Sequence, residues 1–139
     1  GDQVLPRISS NVSVHPTEPD ENPMADWLAS LAKIKQRVPD DVLVLPAHNT
    51  PFYGLHRRLA ALRDSQHRAL DRLREALQEP RRAVDVYGAL FSRPVTADNM
   101  QMSLATGESL AHLNYLVARA EATVTLGEDG CAWYQKVPG

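Results

Sequence analysis

The chain has 139 residues, of which 43% are hydrophobic and 23% charged, with a formal net charge of -2. This composition excludes a disordered chain and predicts one ordinary domain or two very small ones. No apolar run approaches the roughly 20 residues that a membrane span needs, so we expect no membrane partner. The single cysteine, Cys131, excludes an internal disulfide and is typical of a reducing compartment, which predicts a cytoplasmic location.

The small net charge conceals three segments of different sign. Residues 1–53 carry four basic and seven acidic side chains, residues 54–82 carry eight arginines and four acids, and residues 83–139 carry three basic and six acidic side chains. The middle segment is therefore basic and both flanks are acidic. Because a basic patch is what nucleic-acid binding requires, this pattern raises such binding as one hypothesis.

The first half of the chain predicts two helices around one strand. Residues 1–23 contain four prolines, which predicts irregular structure after a short strand near Val4. Apolar residues at helical spacing predict a helix over 24–38 and a longer one over about 54–77. Between them, the apolar run at 42–45 predicts a short buried strand. This order of elements is typical of an α/β arrangement.

The second half predicts short helices and a hairpin. We expect a linker at 79–82, a short helix over 84–91, and a helix through Met100 that breaks near Gly107. A further helix is expected over about 108–120. The last elements are strands at 123–126 and 131–134, with Asp129-Gly130 as the turn signal. Helices followed by a hairpin are the layout of a winged-helix domain.

One histidine occupies a position typical of a metal ligand. His48 follows the predicted strand 42–45 and a proline, and the carboxyl end of a strand is where many α/β enzymes hold such a ligand. The alternative is a hydrogen-bonded loop histidine. Asp2, just before the apolar residues Val4 and Leu5, is the candidate carboxylate partner, and its alternative is an ordinary exposed aspartate.

The other four histidines do not predict a site. His56 and His67 are 11 residues apart, too far to share one ion, and we interpret both as helix-surface or supporting residues. His112 precedes an apolar position and is expected to be packed and hydrogen-bonded. His15 lies in a proline-rich segment and is expected to be solvated.

Four short motifs follow one another in the first part of the chain: Gly-Asp-Gln-Val-Leu-Pro at 1–6, the helix at 27–31, Leu-Pro-Ala-His at 45–48 and the helix that begins near Leu55. Taken together, they resemble the carboxyl-terminal half of a metallo-β-lactamase-fold hydrolase of the glyoxalase-II-like superfamily. Residues 83–139, with Gly-Glu at 107–108 and His-Leu-Asn-Tyr-Leu at 112–116, resemble the winged-helix-like tail of some of these hydrolases.

The resemblance implies an α+β fold in two parts. Residues 1–79 would form a truncated carboxyl-terminal α/β portion of the metallo-β-lactamase fold. Residues 80–139 would form a small helical domain with a β-hairpin, similar to a winged helix.

The resemblance also implies a metal centre. Asp2 matches the carboxylate that bridges two divalent metal ions in the family, and His48 matches the last histidine ligand. The expected ions are zinc, although iron or manganese suits the same ligands. The family signature His-x-His-x-Asp-His, and one further histidine, have no counterpart in these residues. The expected function is therefore part of a hydrolase that uses metal-activated water on an ester, thioester or related bond of a small molecule, with this chain inactive alone and binding ions weakly.

Two other functions remain open from the sequence. A winged-helix module could bind nucleic acid, but the expected recognition helix at 108–120 carries only Arg119 as a base, so nucleic acid is not the favoured partner. A structural role is the other alternative. Trp27, Leu28, Leu31 and the strand at 42–45 would then form an exposed apolar surface, through which the chain would form a homodimer.

Overall fold

The computed structural model describes residues 2–139 and contains four α-helices, a short 3₁₀ turn and two strands. In chain order these are α1 (Pro23–Arg37), α2 (Leu55–Ala76), the 3₁₀ turn (Ala83–Val86), α3 (Tyr87–Leu90), α4 (Asn99–Ala118), β1 (Ala122–Leu126) and β2 (Ala132–Lys136). Helices and a small antiparallel sheet confirm the α+β class. None of the helices in the described range is both long and apolar enough to cross a membrane.

Helix α1 confirms the helix expected over 24–38. The Asn22 side chain accepts a hydrogen bond from the backbone N–H of Ala25, and proline occupies the first helical position, where a missing N–H costs nothing. Trp27 and Leu31 are buried on its inner face. The expectation that these two form an exposed apolar surface is therefore wrong, because residues 12–14 and helix α2 cover them.

Helix α2 confirms the helix expected over 54–77 and is the central element of the molecule. It begins after Gly54, whose φ of 88° is a left-handed conformation that glycine adopts without strain. Its apolar stripe then enters two clusters of buried side chains. Leu55, Leu59 and Leu62 pack with α1 and residues 4–14, and the last turns pack with α3, α4 and the hairpin.

Both clusters draw residues from each side of Pro80. The first cluster includes Ala111 of α4, and the second includes Leu70 and Leu73 of α2 and Leu77, which caps its carboxyl end. The structure therefore connects the two halves through the long helices. The boundary between domains at residues 79 and 80 stays a prediction.

Helix α4 is continuous where the sequence predicted a break. We expected the helix through Met100 to end near Gly107, yet α4 passes through this glycine without interruption. A Cβ at Gly107 would lie 3.0 Å from the Cβ of Ser13 and 3.1 Å from the carbonyl of Val14. Gly107 therefore serves close packing of the amino-terminal segment on α4, and its carbonyl accepts a hydrogen bond from Val14 N at 3.0 Å.

The hairpin is present as predicted, with β1 and β2 antiparallel and Val124 opposite Tyr134. Gly130 in the turn has a φ of 77°. The segment expected as a linker is not independent of this sheet, because Arg81 exchanges two backbone hydrogen bonds with Tyr134, at 2.9 and 2.7 Å. The winged-helix assignment itself stays a prediction.

Two predicted strands are wrong. Within residues 42–45, only Val44 pairs with another strand-like residue, through a single antiparallel bridge to Phe52. Leu43 and Leu45 are exposed. No strand of the described residues lies beside this segment, so its backbone has only a local partner. Near Val4 the chain forms turns and bends, and Val4 and Leu5 are buried without a strand. Both segments have strand-like composition, but a strand requires a neighbour.

Candidate metal site

The structure brings together the two residues that the sequence singled out. The Oδ1 atom of Asp2 lies 3.4 Å from the Nε2 atom of His48, although the residues are 46 positions apart in the chain. Both side chains are about three-fifths exposed, at 60% for Asp2 and 61% for His48. Gly1, which precedes Asp2 in the sequence motif, lies outside the described residues.

The separation of these two atoms fits a shared ion as well as an ion pair between the imidazole and the carboxylate. It exceeds the usual N–H···O range of about 2.7–3.2 Å. Two ligands on one tetrahedral ion, with bonds of about 2.0–2.1 Å, lie about 3.3 Å apart. A carboxylate and an imidazole are also the donor types that zinc and related ions prefer. The pair therefore fits two positions of a metal site.

The pair alone does not complete such a site. Over residues 2–139, no three histidine, cysteine, aspartate or glutamate side chains come together in a way that could hold an ion. Structural zinc sites use four protein ligands and catalytic ones use three. The described part of the chain thus presents an open half-site.

The Asp2 segment is held by hydrogen bonds to its backbone. The hydroxyl of Ser10 donates to the Asp2 carbonyl, and Arg58 of α2 donates through Nε to the carbonyl of Leu5 and through Nη2 to that of Ile8 at 3.0 Å. Burial lowers the pKa of the Arg58 guanidinium, which nonetheless stays charged. One side chain of α2 thereby fixes the turn that follows Asp2.

The loop that carries His48 is closed at its base. Val44 and Phe52 exchange backbone hydrogen bonds of 2.9 and 3.1 Å, and Asn49 has a φ of 69°, a left-handed conformation that asparagine tolerates. The chain therefore reverses direction immediately after His48. This reversal places the imidazole at the exposed tip of the loop.

The first turn of α2 ties this loop to the end of α1. The backbone N–H of His56 donates to Oδ1 of Asp40 at 2.7 Å, and its ring Nε2 donates to the carbonyl of Val38 at 2.8 Å. His56 was expected to be a helix-surface or supporting residue, and it supports the segment that leads to His48. His67 is exposed on α2.

His112 is a packed, hydrogen-bonded histidine, as expected. It is 2% exposed, with Nε2 at 2.8 Å from Oε1 of Gln66 and Nδ1 at 2.8 Å from the carbonyl of Glu108. Burial lowers its pKa. Gln66 also contacts the hydroxyl of Ser9 at 3.5 Å. His112 therefore stabilises the junction of α2, α4 and the Asp2 segment.

Sequence reasoning missed two supporting residues, Arg58 and Gln66. Arg58 is one of eight arginines between 54 and 82, and nothing in the sequence separates it from the others. Gln66 lies on the buried stripe of α2 among leucines. A polar residue on an apolar helix face was the signal that could have identified it, because such a residue requires a hydrogen-bond partner.

The sequence and the fold both match known proteins. Residues 70–137 match the family model "Metallo-beta-lactamase-like, C-terminal domain". A beta-lactamase domain protein from Burkholderia ambifaria is 41% identical, with a TM-score of 0.92. A metallo-beta-lactamase family protein from Thermus thermophilus is 24% identical with a TM-score of 0.78, and shows the fold alone. Each of these two structural matches covers 98% of this chain, and the chain spans 40% of the length of each of the two proteins. No curated protein matches the sequence.

These matches confirm the resemblance to the carboxyl-terminal part of a metallo-β-lactamase-fold protein, whereas the winged-helix likeness of residues 83–139 stays a prediction. The metallo-β-lactamase-like family is one of metal-dependent hydrolases that generally bind divalent metals. The open pair of Asp2 and His48 agrees with that chemistry. The chain belongs to the metallo-β-lactamase-like family and carries the carboxyl-terminal part of its fold.

Proposed function

We propose that this chain supplies Asp2 and His48 to the metal centre of a hydrolase that cleaves an ester, thioester or related bond of a small molecule. One observation supports this proposal above the others. Two ligand-type side chains from distant segments converge to 3.4 Å at an exposed position, although each could have remained solvated alone. Two divalent ions, expected to be zinc, would be held with ligands from outside residues 2–139.

The roles within the chain follow from its contacts. Divalent ions in such centres lower the pKa of water to about 7 and so supply a nucleophile at neutral pH. Asp2 and His48 would hold the ions, and Arg58 would keep the Asp2 turn in place. Because two ligands bind an ion weakly, the proposal includes that the chain alone does not catalyse hydrolysis. With Cys131 unpaired, a cytoplasmic location is proposed as well.

Metal analysis of the natural protein that contains this chain tests the proposal. We expect about two ions per molecule, as two-metal hydrolases hold, and loss of both metal and thioester hydrolysis in His48→Ala. His67→Ala is the matched control, because His67 is an exposed histidine on α2. A natural protein without metal, or hydrolysis that survives His48→Ala, would contradict the proposal.

The arginines of α2 support a structural role for this basic segment and not nucleic-acid binding. Arg72 donates to the carbonyl of Ala89 at 2.7 Å, and Arg74 donates to Glu121 at 2.7 Å. Arg58 is also occupied, by the Asp2 segment. We therefore propose that nucleic acid is not a partner. Binding to duplex DNA that weakens steeply with salt would contradict this.

The exposed apolar side chains of the His48 loop support a contact between two copies of the chain. Leu43, Leu45 and Tyr53 are all exposed, and they flank the single bridge formed by Val44 and Phe52. We propose that this surface forms a homodimer, because exposed apolar patches of this kind mark interaction sites. Light scattering that shows a monomer at all concentrations would contradict the homodimer.

A further inference from the structure

The outer edge of β1 is open and presents hydrogen-bonding groups of its backbone. Both backbone groups of Tyr134 are bonded to Arg81, on the side of β2 away from β1. Val124 and Tyr134 therefore form a non-hydrogen-bonded pair, in which the N–H and C=O of Val124 point away from β2. By the same alternation those of Leu126 also point outward. No strand of residues 2–139 pairs with this edge.

An apolar groove of about 610 Å³ runs beside this edge. One wall is formed by Val124, Leu126 and Tyr134 of the hairpin, and the other by Leu110 and Val117 of α4. Val124 is 45% exposed and Leu126 is 76% exposed. Natural sheets protect such edges with charges, proline or bulges, and the β1 sequence Ala-Thr-Val-Thr-Leu has none of them.

The rims of the groove are acidic. Asp20 lines it, with Glu18 and Glu21 beside it in the loop before α1, and Glu128 and Asp129 follow β1 at the tip of the hairpin. Among the ion pairs between described residues, none involves any of these five carboxylates. Burial and then the charge of Asp20 raise the pKa of Tyr134, which lies in the hairpin wall of the groove.

We propose that the outer edge of β1 and this groove bind an extended peptide segment of another protein, in which apolar residues alternate with lysine or arginine. The backbone of the segment would pair with Val124 and Leu126 as an added strand. Its apolar side chains would enter the groove, and its basic side chains would face the acidic rims. The acidic rims disfavour both a nucleic acid and a second copy of the same surface.

The test is an NMR titration of the chain with a capped hexapeptide of alternating lysine and valine. We expect amide shifts centred on Val124 and Leu126, and weaker binding at higher salt. A peptide with glutamate in place of lysine is the charge control and should bind at least about tenfold more weakly. Equal binding of the two peptides would overturn the proposal.

Variants of the β1 edge test whether the peptide pairs with this strand or attaches nonspecifically elsewhere. Val124→Pro removes an outward N–H together with a valine side chain of the groove wall, and should weaken peptide binding at least about fivefold, as the loss of one net hydrogen bond predicts. Leu126→Lys alters a mostly exposed side chain, should leave folding intact and should repel the peptide. Thr123→Ala is the matched control, since the N–H of Thr123 faces β2. Unchanged binding in both edge variants would overturn the proposal.

Two alternative occupants give distinct results. If the same amides shift on raising protein concentration without peptide, the edge binds a second copy and the proposal is overturned. If duplex DNA shifts them at low salt, the occupant is nucleic acid and the proposal is again overturned. Shifts that require the basic peptide support it.

Discussion

Two regions of this molecule use histidine in opposite ways. The loop with His48 is closed by one bridge and presents an exposed imidazole 3.4 Å from a carboxylate. The region around α4 buries His112 to 2% and gives both ring nitrogens a partner. A ligand must keep a lone pair available to the outside, whereas the ring of His112 is enclosed and each of its nitrogens lies 2.8 Å from a protein oxygen atom. His48 therefore differs from a structural histidine by its exposure, and from exposed His67 by the Asp2 carboxylate that lies 3.4 Å from its ring.

The largest expected difference between these regions is in stability. Leu113→Ala removes a completely buried side chain of the second cluster and should lower the free energy of unfolding by about 3 kcal/mol. Leu45→Ala, in the loop of His48, should change it by less than about 0.5 kcal/mol, because Leu45 is 72% exposed. Chemical denaturation of both variants measures the difference. Equal losses would show that the loop is as tightly packed as α4.

The pH dependence of stability tests the region of α4. Burial raises the pKa of Glu108 to about 7 from its usual 4.5, so the folded state favours the neutral carboxyl. The neutral Glu108 carboxyl therefore contributes fully to the stability of the folded state below about pH 4.5. As the pH rises through about 7, the free energy of unfolding should fall by up to about 3 kcal/mol. Glu108→Gln stays neutral and should lack this loss.

The measurement is the difference in free energy of unfolding between wild type and Glu108→Gln from pH 4.5 to 8. The lowered pKa of His112 acts in the opposite direction, since it costs stability as pH falls below about 6.5. Because both proteins contain His112, its effect cancels in the difference. Glu128→Gln, in the exposed hairpin turn, is the control and should give a flat difference. A flat difference for Glu108→Gln would contradict the burial of its carboxyl.

Replacing each of the two histidines with alanine should affect stability very differently. His112→Ala leaves Gln66 without a buried partner and should cost about 1–3 kcal/mol of stability. His48→Ala should cost less than about 0.5 kcal/mol, because its only polar contact within residues 2–139 is with exposed Asp2. Thermal or urea unfolding measures both. A greater loss of stability in His48→Ala than in His112→Ala would show that His48, and not His112, has the structural role.

The smallest expected effect concerns two glycines. In Gly107→Ala the new Cβ meets Ser13 and the Val14 carbonyl, which should cost about 1 kcal/mol after the gain in helix propensity. Gly88 in α3 has open space around it, so Gly88→Ala should be neutral or stabilise by up to about 1 kcal/mol. Paired denaturation curves show the difference. A stabilised Gly107→Ala would mean that residues 13 and 14 do not pack on α4.

The periodic helices and the hairpin could be predicted from sequence because their signals are local. Helices α1 and α2 have apolar stripes with clear ends, and Asp129-Gly130 marks the turn. The prediction of a helix break at Gly107 was wrong. A glycine is needed there because Ser13, which is distant in sequence, packs closely against it. The prediction of a strand at 42–45 was wrong because, among the described residues, no neighbouring strand pairs with this segment.

The candidate site was predicted only in part, for a related reason. Asp2 and His48 were identified by their positions next to apolar segments and by resemblance, and the structure brings them together. Arg58, which holds the Asp2 turn, was not identified. Its hydrogen bonds go to backbone carbonyls of Leu5 and Ile8, and backbone acceptors leave no mark in a sequence. Supporting residues of this kind require the three-dimensional structure.

Zinc binding observed at individual histidine rings tests whether Asp2 and His48 are metal ligands. In an NMR titration of the chain with Zn²⁺, we predict that the ring signals of His48 move while those of buried His112 do not. Asp2→Asn should weaken this response at least about tenfold, since even residues that only support metal ligands contribute that much. Signals of His15 or His67 that move as readily as those of His48, or a response unaffected by Asp2→Asn, would contradict the assignment of Asp2 and His48 as metal ligands.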